Sequence, residues 1–171
     1  MRVAPERDGD VGDREPVGVT APDLAGLRFF EGIPSWVLER LASSAKRIRL
    51  EASDVVVRQN DEARAAFFLL SGKAQVLVYF EGIGDLLMGI QRDPGSLLAF
   101  SAFRAPYRHT SSVRCEEASE LLRVPRGAFE ELFEEDEYLG YRILKKVAAA
   151  MDNRLEGSLS FLETPANPGE L

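Results

Sequence analysis

The stretch "AAFFLLSGKAQVLV", residues Ala65 to Val78, decides how the chain folds. Two short runs of aliphatic and aromatic side chains flank Ser71-Gly72-Lys73, and each run is too short for a helix of ordinary length but right for a strand. Gly72 stands at the break, where a left-handed backbone is cheap only for glycine. Runs of the same kind lie on both sides: "RIRLEA" (47–52), "DVVVRQ" (54–59), "LLMGIQR" (86–92), "SLLAF" (96–100), "SSVRCEE" (111–117) and "SELLRVP" (119–125). Six to eight short strands punctuated by Gly, Asp, Asn and Pro predict a mainly β fold, a sandwich or an eight-stranded jelly roll.

The periodicity differs at both ends. Before the strands, Leu27, Phe29, Phe30, Ile33, Trp36, Val37, Leu38 and Leu41 suit short helical pieces, with Pro34 at a first turn. After Pro125, "RGAFEELFEED" (126–136) and "EYLGYRILKKVAAAMDNRLE" (137–156) are helical. Leu144, Val147, Met151 and Leu155 recur at helical spacing and predict an apolar stripe that is either core or the seam with a second copy or another protein. Residues 1–22, rich in charge, Gly and Pro, are expected to form a flexible arm, residues 23–156 one domain, and residues 157–171 a loose tail.

With 171 residues and 45% hydrophobic content the chain can bury one core. A net charge of -7 argues against direct nucleic-acid binding, whose affinity comes from clustered Lys and Arg. It does not exclude a small anion held by a local donor cluster. The N-terminus is no apolar export signal and no apolar run is long enough to span a bilayer, so no membrane association and a cytoplasmic location are expected. Cys115, the single cysteine, lies in a strand pattern and is expected to be a small core residue. With His109 as the only imidazole, neither a two-His metal site nor a nucleophile–His pair can be assembled convincingly, and the chain carries no phosphate-binding glycine fingerprint. Neither enzymatic activity nor a metal or cofactor is expected.

Helical lead, eight-stranded roll and long closing helix follow one another in the order of a known family. "LRFFEGIPSWVLERLA" (27–42), "AAFFLLSGKAQVLV", "DPGSLLAFSAF" (93–103) and "SELLRVPRGAFEELFEEDEYLGYRILKKVA" (119–148) together resemble the cyclic-nucleotide-binding domain of the catabolite-activator (Crp/Fnr-like) family. The second of these is similar to the family's central hairpin. The resemblance implies that "PGSLLAFSAFRAPYRHTSSV" (94–113) stands where the family binds the ligand phosphate, on the N–H groups that open a short helix. It places Ala99 at the cassette glycine, Phe100 at the ribose-binding glutamate, and Ser101 and Ala102 just after. It sets His109 at the phosphate-binding arginine with Thr110 as its hydroxyl partner, while a one-residue slip gives the role to Arg108 with Thr110 and Ser111.

Phenylalanine cannot replace the carboxylate, so the ribose anchor is missing. Arg108 reads equally as a pocket or a surface residue, His109 more readily as a hydrogen-bonded structural group, and Phe100 and Phe103 as core or pocket wall. The resemblance implies a regulatory sensing module that binds cAMP, another cyclic nucleotide or a similar small anion and signals through its last helix to a homodimer mate or partner protein. The alternative is a degenerate roll, filled by Phe100 and its neighbours, that serves as a protein interaction module. Few residues follow Leu155, which leads to the expectation of a stand-alone domain without the family's helix-turn-helix DNA reader.

Overall fold

The computed structural model describes residues 17–163. Among them are eight strands: β1 (Val17–Gly18), β2 (Lys46–Leu50), β3 (Val55–Val57), β4 (Ala65–Ser71), β5 (Ala74–Phe80), β6 (Gly84–Gln91), β7 (Ser112–Cys115) and β8 (Ser119–Pro125). They form two antiparallel sheets, in the orders β1-β2-β8-β4 and β3-β7-β5-β6. Helices α1 (Ala21–Ala25), α2 (Ser35–Ser44), α3 (Arg126–Glu135) and α4 (Glu137–Glu163) lie before and after the roll. Two 3-10 turns, Arg28–Phe30 and Phe100–Phe103, complete the order.

The apolar run at β4 is continuous because the strand is buried on both faces. Successive side chains point to opposite faces. Ala66 and Phe68 join a core shared with the helices, while Ala65, Phe67 and Leu69 face the interior of the roll. Strand β8 divides the same way, with Leu122 and Val124 on the helical side and Leu121 inside. The first sheet is therefore a middle layer between the helices and the second sheet. Phe29 and Phe30 pack on Phe68 from the helical side, each with its ring centroid 5.0 Å away.

The stretch around Gly72 is a corner, not a hairpin. Strand β4 pairs with β8 and belongs to the first sheet, whereas β5 pairs with β6 and β7 in the second. Gly72, at φ +93°, carries the chain from one sheet to the other. Two-sided burial is the reason: β4 already meets the helices and the roll interior, and the next strand must cover that interior from across it. The hairpin of the fold is β5–β6, in which Ala74 faces Gln91 and Phe80 faces Gly84.

Both expected flexible ends are partly built into the domain. Residues 1–16 of the arm lie outside the described residues, but Val17 pairs with Arg47 and the chain enters α1 at Ala21. A capping arrangement holds that start, the Thr20 backbone N–H and hydroxyl donating to the Asp23 carboxylate at 2.8 and 2.7 Å. At the other end α4 continues to Glu163, so residues 157–163 are helix; residues 164–171 lie outside the described part.

The apolar residues of α4 separate into two faces. Leu139, Ile143 and Val147 are buried against the helical core. Val147, grouped with the outward stripe from the sequence, is only 5% exposed and belongs to this inner face. Leu144, Met151 and Leu155 are 42%, 45% and 58% exposed and form the outer stripe. Among the described residues no helix is long and apolar enough to cross a membrane.

Candidate functional site

The expected cassette is built on the edge of β4. "SLLAF" is not a strand of its own: the Gly95 N–H donates to the Leu69 carbonyl, Leu69 N–H to Ser96, and Leu98 N–H to Phe67. Gly95, at φ +86°, makes the turn that brings the chain to this edge. Leu98 and Ala99 then point into the roll and join its interior core with Val113, Cys115 and Leu121. The backbone leaves the strand direction at Ala99 and coils through the 3-10 turn Phe100–Phe103. Ser101 and Ala102 are buried there; Phe100 and Phe103 are half-buried against the helical core.

The second group of expected site residues is tied elsewhere. Arg108 is exposed, and its guanidinium donates to the Asn60 carbonyl at 2.8 Å. His109 is buried and clamped through its backbone, its N–H donating to the Asp61 carbonyl at 2.9 Å while its own carbonyl accepts from Asn60 N–H at 2.8 Å. Thr110 is exposed and Ser111 half-buried. The Ser112 hydroxyl oxygen accepts from Gln59 N–H at 3.0 Å. The structure thus gathers Ala99, Phe100, Ser101 and Ala102 in one turn. It binds Arg108 and His109 to the loop at 60–61, with the arginine facing out.

The cation that meets the cassette is Arg154, which comes from α4. Its guanidinium lies over the Phe100 ring, 4.7 Å from the centroid, and donates to the Leu97 carbonyl at 2.7 Å. Phe100 therefore presents a ring face to a cation where the family resemblance implies a carboxylate, and a guanidinium stacks well on such a face. Among the described residues no carboxylate pairs with Arg154, and its Nε has no hydrogen-bond partner. Burial pulls the guanidinium pKa down to about 10, so it stays charged at neutral pH and its desolvation is only partly compensated.

Sequence reasoning missed this residue, although a signal was present. Leu139, Ile143, Val147, Ala150 and Arg154 follow one another by four, four, three and four, so the arginine continues the inner stripe.

A cavity of about 560 Å³ adjoins the other side of this contact, between Arg28–Phe29, the end of β6, the turn 92–97 and α4. None of Ala99, Phe100, Ser101, Ala102, Arg108, His109, Thr110 or Ser111 lines it. Among the described residues no group of three or more His, Cys, Asp or Glu side chains is placed to hold a metal ion. Cys115 is buried in the roll, and burial raises its thiol pKa above the usual value.

The family model described as the cyclic nucleotide-binding domain matches residues 47–136. The chain belongs to the cyclic nucleotide-binding domain family. The match runs from β2 through α3, so the seven strands that form the roll proper and the cassette are the family's. Helix α4 with Arg154 lies beyond it. A cyclic nucleotide-binding domain from Methylobacillus flagellatus KT has the same fold, with TM-score 0.71, 12% identity and 86% of each chain covered. The catabolite activator protein of Thermus thermophilus aligns at TM-score 0.61 and 19% identity over 78% of this chain and 61% of that one. Among curated proteins, acetyltransferase Pat of Mycolicibacterium smegmatis is 40% identical over 58 residues, which are 34% of this chain and 17% of the acetyltransferase. The chain thus matches a minor part of that larger protein.

Proposed function

We propose that this cyclic nucleotide-binding domain is a regulatory sensor in which α4 is latched to the cassette by Arg154 and a small anionic ligand, cAMP or another cyclic nucleotide, works by changing that latch. The contact of Arg154 with Phe100 and the Leu97 carbonyl carries the reading, because it joins the family's ligand-binding turn to the element that leaves the roll. A ligand phosphate at the cassette offers the guanidinium a charged partner in place of a ring face and a neutral carbonyl. Ligand can shift the helix only if it prefers one of two α4 positions, and an arginine with an unmade hydrogen bond supplies such a preference. The outer stripe of Leu144, Met151 and Leu155 then presents the outcome to a second copy of the chain or to a partner protein.

A second reading, a roll kept only as an interaction module, is favoured by the same Phe100, which leaves no carboxylate for a ribose. Calorimetric titration with cAMP and with cGMP separates the two, provided α4 is followed by hydrogen exchange in the same samples. Binding with altered exchange at 150–160 supports the sensor. Absence of heat with both nucleotides, together with an unchanged α4, rejects it and leaves the interaction module.

A further inference from the structure

The cavity beside the cassette has an unusual lining for so acidic a chain. Four cationic side chains, Arg28, Arg92, Lys146 and Arg154, face it together with only two carboxylates, Glu31 and Asp93, although the whole chain carries -7. Six basic residues elsewhere, Arg40, Arg47, Arg49, Arg64, Lys73 and Arg126, form ion pairs with Asp or Glu. Among the described residues none of the four cavity cations does. They come from three separate elements: the 3-10 turn at Arg28, the segment after β6 with Arg92, and α4 with Lys146 and Arg154 about two turns apart. Convergence of unpaired cations on one concave space concentrates positive potential there.

We propose that this cavity binds the phosphate monoester of a small molecule, at a site separate from the cassette. An excess of two positive charges matches a phosphate monoester, which carries about -1.5 to -2 near neutral pH, better than the single charge of a cyclic phosphodiester. Arg154, Arg92 and Lys146 all line the same space and bring cationic donors to it for the phosphate oxygens. The volume of about 560 Å³ exceeds what a bare phosphate needs and lies within the range of small-molecule sites. Phe29 and Ala150 give it an apolar wall for the rest of the ligand. Because Arg154 also holds Phe100, occupancy here bears on the latch, and in that respect the site rests on the reading of α4 given above.

The test is calorimetry on the full chain with 5′-AMP, inorganic phosphate and adenosine as probes, in wild type, Arg92→Gln and Lys146→Gln. Arg92 is exposed, so its replacement leaves the core intact. The expected result is binding of 5′-AMP, weaker binding of inorganic phosphate, none of adenosine, and a loss on the order of tenfold or more in 5′-AMP affinity for each variant. No heat with either 5′-AMP or phosphate overturns the proposal, as does wild-type affinity in both variants. A parallel cAMP titration keeps the two readings apart. Loss of 5′-AMP binding in the variants without loss of cAMP binding marks two sites, and cAMP binding with no 5′-AMP binding leaves the cassette alone standing.

Discussion

Replacing Arg154 with methionine separates a latch from a structural anchor. The native side chain donates one charged hydrogen bond to the Leu97 carbonyl, worth about 1.5–3 kcal/mol. It also lies on the Phe100 ring, worth about 0.5–2 kcal/mol depending on desolvation. Against this stands the burial of an unpaired guanidinium. Its pKa, pulled down to about 10, sets that cost at no more than about 3 kcal/mol, and the solvent the side chain still touches reduces it further. Methionine keeps the unbranched stem and its packing, and frees the Leu97 carbonyl to find water. The terms largely offset one another, so global stability is expected to change by about 2 kcal/mol or less, a shift of up to roughly 4–8 °C in Tm at this chain length. Calorimetric melting measures this directly, and hydrogen exchange at 96–103 and 150–160 is expected to rise while that of β8 does not. A fall in Tm beyond about 10 °C would refute the reasoning, since Arg154 would then be holding the fold and could not be released by a ligand.

Three further outcomes follow from named contacts. Gly72→Ala is expected to lower Tm sharply. Alanine at φ +93° is strained by about 1–2 kcal/mol, and its Cβ would stand 2.7 Å from the Ala118 carbonyl oxygen and against the Ser119 hydroxyl; a Tm near wild type would show that the corner between the sheets can relax. Leu144→Asp puts a charge in the outer stripe of α4, and light scattering is expected to report a dimer for the wild type and a monomer for the variant; equal masses remove α4 as a dimer seam. Asp23, held below the usual carboxylate range first by the Thr20 side-chain hydrogen bond, contributes stability that is complete above its unfolded-state pKa and is lost as pH falls through its folded one. Acid unfolding followed by circular dichroism is therefore expected to be less steep in Asp23→Asn, and an identical acid limb would show that the cap contributes nothing.

The order of elements was legible in the sequence because short apolar runs and turn residues mark strands without tertiary information. The family resemblance rested on that order, and the match over 47–136 bears it out. Sheet membership was not legible. An apolar run buried on both faces has no alternation to show which neighbour it pairs with, so β4 and β5 read as a hairpin around Gly72 although they lie in different sheets. Val147 was misplaced for a related reason, since residues three and four apart share a stripe whether it faces the core or the outside. The composition of residues 17–22 gave no sign that Val17 would find Arg47 or that Asp23 would cap α1. At the cassette, the turn from Ala99 to Ala102 was placed only through the family resemblance. The outward course of Arg108 depends on its bond to Asn60, 48 residues earlier, which no local pattern encodes. Arg154 broke the apolar stripe of α4, and an arginine in such a place is a sign that its side chain meets something inside.

The coupling of cassette to helix is tested most directly by hydrogen exchange of wild type and Phe100→Leu. Leucine keeps apolar bulk at the turn but removes the ring face under the guanidinium. The amides of residues 150–160 are predicted to exchange roughly three- to thirty-fold faster, the range set by the strength of a cation–ring contact, with the β5–β6 hairpin unchanged. Equal exchange in α4 would contradict the account, because the Phe100 ring would then have no hold on the helix proposed to carry the signal.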